Sequence, residues 1–189
     1  MNKYIFILFF SSLLAQVEYS SYLNFRYGDG EGDYAYDEIY SNLGITLNRP
    51  EHRFEASLSL ELSNPPEIGL KEEGVREFLL GYYNENFSLE LGDFYKTWGR
   101  GLILNQVMYQ HLDFDTGARG VSVEYQKDDL ILNVLGGESG IRKSTTLLGG
   151  YNPRIPNYFL DQNIYGSDLT LSSSGLIMGF SLLLTEQSD

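Results

Sequence analysis

The stretch Phe54-Glu55-Ala56-Ser57-Leu58-Ser59-Leu60-Glu61-Leu62 alternates apolar and polar side chains without a break. Successive residues of an extended strand point to opposite faces, so Phe54, Ala56, Leu58, Leu60 and Leu62 line one side, and Arg53, Glu55, Ser57, Ser59 and Glu61 the other. The preceding segment has the same period: Ile39, Ser41, Leu43, Ile45 and Leu47 against Glu38, Tyr40, Asn42, Gly44, Thr46 and Asn48. From Val17, the odd positions read Val17, Tyr19, Ser21, Leu23, Phe25 and Tyr27, and the even ones Glu18, Ser20, Tyr22, Asn24 and Arg26. Across all three segments the apolar set carries no charge. Each alternation lasts about as long as the ~9 to 11 residues a tilted strand needs to cross a bilayer, beyond the ~5 to 6 usual in soluble sheets.

Further strands are predicted at Val75–Tyr83, Phe87–Gly92, Arg119–Gln126, Leu130–Leu135, Gly166–Leu171 and Leu176–Leu184, a tally of about nine. Asn48-Arg49-Pro50-Glu51, Asn84-Glu85-Asn86 and Lys127-Asp128-Asp129 read as tight turns. Between them fall longer connections: Gly28–Asp37, Ser63–Gly74, Asp93–Ala118 and Gly136 to about Asn163. Short turns alternating with long loops are the rhythm of a bacterial outer-membrane barrel. An exported β-sandwich would also alternate, so periodicity alone does not separate the two.

The amino terminus sharpens the choice. Met1-Asn2-Lys3, the apolar run Tyr4–Phe10 and then Ser11-Ser12-Leu13-Leu14-Ala15 form a basic head, a short greasy middle and a small-residue end. That order predicts a secretory signal peptide over residues 1–15, cleaved after Ala15, with a β-barrel domain over residues 16–189. The 189 residues carry 13 Lys and Arg against 26 Asp and Glu, a net charge of −13. Such a surface repels a nucleic-acid backbone, so nucleic acid is excluded as a partner and cations or basic surfaces are favoured. There is no cysteine, which excludes disulfides, thiolate metal sites and cysteine catalysis.

The fold class expected is therefore all-β: an antiparallel up-and-down transmembrane β-barrel in the outer membrane, its apolar rows facing lipid and its polar rows a wet or plugged interior. The odd strand tally, and an end at Thr185-Glu186-Gln187-Ser188-Asp189 without an aromatic residue, suggest the amino-terminal part of a larger barrel. Tyr19, Tyr27, Tyr82, Tyr83 and Trp98 are the expected interfacial aromatics.

The least generic stretch is Gly92-Asp93-Phe94-Tyr95 with Trp98-Gly99-Arg100-Gly101-Leu102, followed by Asp113, Asp115 and Arg119-Gly120. It resembles an uncharacterised family of predicted outer-membrane barrel proteins with Gly-Asp-x-Tyr, Gly-x-Gly-Leu and Asp-before-Arg-Gly segments. The likeness covers about Val75 to Tyr125 and implies a fold and a location but no reaction. Trp98–Asn105 is more faintly similar to capsule-assembly barrels, which would imply a surface polysaccharide partner. From the residues themselves, Asp93, Arg100, Asp115 and Arg119 are expected to form a charge cluster in the lumen, either ion pairs that hold the fold or a constriction that selects solutes.

Other chemistry is thin. His111, Asp113 and Asp115 would share a strand face, but one imidazole and two carboxylates describe a solvated face better than a metal site. Gly28-Asp29-Gly30-Glu31-Gly32-Asp33 is oxygen-rich but departs from the EF-hand pattern at Tyr34 and Tyr40. Gly-x-Ser-x-Gly, Walker and dinucleotide signatures are absent. No enzyme activity, cofactor or metal is expected. The function expected is a pore, transport component or surface scaffold, in contact with outer-membrane lipid and with divalent cations or surface polysaccharide as further partners. The competing reading is a secreted soluble adhesin or carbohydrate-binding module.

Overall fold

The computed structural model describes residues 16–29, 36–64, 73–109, 114–143 and 158–187. The signal-peptide segment 1–15, Gly30–Asp33 of the acidic stretch, and His111 and Asp113 lie outside them. The described residues are all-β. The long strands are β1 Gln16–Gly28, β2 Tyr36–Arg49, β3 His52–Asn64, β4 Glu73–Asn84 and β5 Phe87–Phe94. After an insert containing β6 Thr97–Trp98, a 3-10 turn Gly99–Gly101, β7 Leu104–Asn105, β8 Met108–Tyr109 and β9 Phe114–Asp115, come β10 Ala118–Lys127, β11 Leu130–Lys143, β12 Tyr158–Ser173 and β13 Leu176–Gln187.

Every long strand pairs antiparallel with its neighbour, in the order β1-β2-β3-β4-β5-β10-β11-β12-β13. The sheet is an up-and-down meander and it is open: β1 and β13 are its two edges, and neither pairs with the other. The expected all-β, antiparallel up-and-down order of strands is present; closure into a barrel is not. The links Pro50–Glu51, Glu85–Asn86, Asp128–Asp129 and Ser174–Gly175 all fall at one end, and the long connections at the other. At the β4–β5 turn the Asn84 side-chain oxygen accepts from the N–H groups of Asn86 (2.9 Å) and Phe87 (2.8 Å), an Asx-type lock.

Within the stretch from Gly136 to Asn163 the described residues are strand rather than loop: β11 runs to Lys143 and β12 begins at Tyr158. Its glycines obscured the pattern, and they serve the sheet. Gly120 and Gly137 face each other across β10 and β11; a Cβ on Gly137 would lie 2.4 Å from the Arg119 carbonyl oxygen.

Register aligns the two chemistries across strands. Leu43 lies opposite Leu58, Ile45 opposite Ala56 and Leu47 opposite Phe54, while Tyr19 meets Ile45 and Phe25 meets Ile39. The same face continues through Leu89–Val123, Val123–Val134, Leu132–Leu169 and Leu169–Phe180. Burial is inverted relative to a water-soluble sheet. The buried residues sit on the polar rows: Glu38, Ser59, Glu61, Ser63, Ser122, Ser139 and Asp168. Leu23, Phe25, Leu43, Ile45, Phe180 and Leu182 on the apolar rows are exposed, Leu23 at 71%. The small apolar core of Phe94, Trp98, Leu104, Ala118, Leu135 and Ile164 also lies on the polar side, where the insert folds over the sheet.

Candidate functional site

On the apolar face, charged side chains are confined to the strand ends. Asp37, Asp93, Arg119, Glu138, Asp161 and Glu186 border the connection end, and Arg49, His52 and Lys127 the turn end. Along β2, Asp37 and Arg49 are 12 residues apart; along β10, Arg119 and Lys127 are 8 apart. At ~3.4 Å per residue and a tilt of ~40°, these borders stand about 20 to 30 Å apart, which brackets the ~25 Å apolar band of a membrane barrel.

At the connection end the sheet forks. Pairing of β4 with β5 stops at Leu79–Gly92, and β4 carries an irregularity opposite Ser59 and Leu60, around Arg76. Beyond the last rung, side chains take over from the backbone ladder. The Phe78 N–H donates to Asp93 Oδ2 at 2.7 Å, and the Arg76 carbonyl accepts from Arg119 Nη2 at 3.0 Å. Arg119 and Asp93 are themselves joined by two hydrogen bonds, 2.9 and 3.1 Å, with the guanidinium 5.2 Å from the Phe78 ring centroid. Backbone polar groups left unpaired in an apolar surround are costly, and this bridge satisfies one donor and one acceptor. Gly92 makes the approach possible: its φ is 116°, and a Cβ there would meet the Phe78 carbonyl oxygen at 2.1 Å.

The fork opens into a cleft of about 460 Å³, lined by Arg76, Glu77, Tyr95, Asp115, Glu138 and Asp161 among others. The Tyr95 hydroxyl lies 3.2 Å from Glu77 Oε1 and 3.3 Å from Asp115 Oδ2. It has one proton, so it donates to one carboxylate at a time. Burial pushes the Asp115 carboxyl above its ordinary range, opposed by the Gly117 N–H, the Tyr95 hydroxyl and Arg76, with Asp93 adding to the rise. Burial and then the charge of Asp115 push Tyr95 upward as well. Among the described residues, no three His, Cys, Asp or Glu side chains converge as a metal-ligand set.

The structure therefore brings Asp93, Asp115 and Arg119 to one cleft. Arg100 stands apart, exposed on the 3-10 turn at a φ of 56°. Arg119 follows the alternation of Val121 and Val123, so the bridge stands at the connection end of the apolar rows. The aromatics also divide. Tyr19 and Tyr27 are exposed on the apolar face, and Tyr82 packs there with His52, Phe54 and Phe87. Tyr83 lies on the polar side beneath Arg53, and Trp98, within the insert, is 5% exposed in the apolar core.

Ion pairs on the polar rows were not singled out from sequence. Arg26 meets Glu38 at 2.6 Å, Arg76 meets Glu61 at 3.1 Å and lies over the Tyr40 ring, and Lys96 meets Glu90 at 2.6 Å. For the first two the signal was the placement of opposite charges on neighbouring strands. For Arg26 and Glu38 that requires only the hairpin register.

The chain matches, over residues 11–177, the model of a family of unknown function, DUF6029. No curated protein and no solved structure matches it.

Proposed function

The chain belongs to the DUF6029 family, and from its own geometry we propose that residues 16–187 form part of the wall of a β-barrel in the bacterial outer membrane, with a passive role as a pore, transport component or surface scaffold. One observation carries this reading: the sheet buries its polar rows and exposes its apolar ones. Fully burying a Leu or Phe side chain is worth about 1.5–3 kcal/mol, and soluble monomers seldom expose contiguous apolar patches beyond a few hundred Å². Among the described residues no element covers the Leu23–Leu43–Leu58 face, whereas hydrocarbon would. The uncharged band with charged borders supports the same reading, as does the grouping of all two-residue turns at one end. A secreted sandwich would need a second sheet packed on those rows. In a closed barrel the segment around Trp98 lies inside and narrows the passage.

Lipid contact is directly measurable by fluorescence. Trp98 is the single tryptophan and lies on the polar side, so brominated acyl chains should leave its emission unquenched. In a Trp98→Phe background, Leu43→Trp should be strongly quenched and Asn42→Trp hardly at all. Equal quenching at positions 42 and 43, or a protein that stays in the aqueous phase without detergent, would overturn the membrane reading.

A further inference from the structure

The hairpin of β6 and β7 leaves the sheet after Phe94 and folds back over its polar side. Its two legs are stitched to each other. The Lys96 carbonyl accepts from the Gln106 N–H at 3.0 Å, Gln106 Oε1 accepts from the Lys96 N–H at 3.0 Å, and Trp98 pairs with Leu104. Trp98 seats the hairpin in the notch left by Gly166, and Lys96 Nζ reaches Glu90 of β5 at 2.6 Å. Tyr95 stands at the root. Its ring lies against Gly117, where a Cβ would come 2.6 Å from it, and its hydroxyl lies between Glu77 of β4 and Asp115 of β9. One hydroxyl therefore joins the outgoing leg of the insert, the returning leg and the wall.

Counting protons shows what that junction can do. Between two ionised carboxylates the hydroxyl donates to one, and its lone pairs face the negative charge of the other. A single proton taken from solvent removes the conflict. The protonated carboxyl then donates to the Tyr95 oxygen, while Tyr95 donates to the remaining carboxylate. Such a proton belongs to the pair rather than to either residue. The Gly117 N–H donates to Asp115 Oδ1 at 2.8 Å, which leaves Oδ2 for Tyr95. The guanidiniums nearby are engaged with other carboxylates, Arg76 of β4 with Glu61 and Arg119 of β10 with Asp93 of β5. Glu138 of β11 and Asp161 of β12 line the same cleft and add negative charge, and Arg142 holds the register position opposite Asp115 on β11.

We propose that Tyr95, Glu77 and Asp115 form a proton-dependent latch, which seats the β6–β7 hairpin on the polar side of the sheet when the carboxylate pair holds one proton and frees it when both are ionised. The raised carboxyl of Asp115 puts the change above the ordinary carboxylate range. The latch itself does not depend on the membrane reading. Its consequence for passage rests on that reading: in a closed barrel the hairpin lies across the lumen, so acid narrows the opening and loss of the proton widens it.

Trp98, the single tryptophan, reports the position of the hairpin. Acrylamide quenching of its emission is measured on the full chain in detergent, from about pH 4 to about pH 9. In the wild type, quenching should be weak in acid and severalfold stronger after a transition that releases one proton. Glu77→Gln supplies a permanent donor to the Tyr95 oxygen, so Trp98 should stay shielded across the whole range. Tyr95→Phe removes the bridge, so quenching in acid should equal that of the wild type on the alkaline side. β-sheet circular dichroism reports that each variant is folded, and if Tyr95→Phe does not fold, the comparison of Glu77→Gln with the wild type still decides. Wild-type quenching that ignores pH, or a Glu77→Gln variant that keeps the wild-type transition, would overturn the latch. Planar-bilayer conductance that stays constant while Trp98 responds would overturn the consequence for passage alone. Failure of the membrane reading registers separately, in the quenching of a tryptophan at position 43.

Discussion

At the scale of single residues, the fork of the sheet is held by a side-chain bridge. Arg119 presents a planar fork of donors to Asp93 and to a backbone carbonyl at once, which a point-charge ammonium does not reproduce. Arg119→Ala is expected to lower unfolding stability in detergent by about 1–2 kcal/mol, because solvent screens the half-exposed pair while the Arg76 carbonyl loses its partner. Arg119→Lys should recover less than half of that loss in a urea titration. Asp115 gives a pH signature. Its folded-state pKa is raised above the ordinary value, so within that window the unfolded chain has released a proton that the folded chain still holds. Stability should then fall as pH rises from the ordinary carboxylate range through the raised value, with the loss complete above it. Asp115→Asn should flatten that slope and leave the protein more stable than wild type on the alkaline side, as read from melting temperatures across a pH series. The sequence grouped Asp93, Arg100, Asp115 and Arg119; the structure puts Asp93, Asp115 and Arg119 beside one cleft and Arg100 on the 3-10 turn, and alternation alone did not show that Gly92, at positive φ, re-aims the chain at the end of β5.

At the scale of elements, the long strands were legible wherever one face is apolar and the other polar. The hairpins β1–β2 and β2–β3 follow directly, because a one-residue slip would turn every Leu and Ile to the wrong side. The second half of β11 and the first half of β12 were hidden by Gly136, Gly137, Gly140 and a run of polar residues, since their identity as strand depends on pairing with each other. The insert was unreadable for a related reason. Trp98 looks like an interfacial aromatic until a partner surface exists for it, and that surface is a notch left by Gly166, where a Cβ would come 2.6 Å from the indole. Gly166→Leu should expel the ring. The expected outcome is a red-shifted tryptophan emission and faster protease cleavage between Tyr95 and Gly117, with the β-sheet circular dichroism retained.

At the scale of the whole molecule, the proposed membrane location rests on the exposed apolar band. Leu58 sits mid-band opposite Leu43 and Phe78, whereas Ser57 faces Gly44 on the other side. An arginine facing lipid at the bilayer midplane costs about 2–4 kcal/mol. Leu58→Arg should therefore block assembly into membranes, and Ser57→Arg should be tolerated, as measured by protease resistance in liposomes. Composition, charge and a two-residue period determined by themselves that this chain makes long, two-faced strands joined by alternating short and long links, because alternation is a local property of extended backbone. Only the tertiary structure decided that the polar face is the buried one, that the sheet stands open with parallel-running edges, and that Asp93 and Arg119 stitch its fork. Those outcomes depend on which strands meet and in which direction, and contacts between residues far apart in the chain leave no trace in the local pattern of either partner.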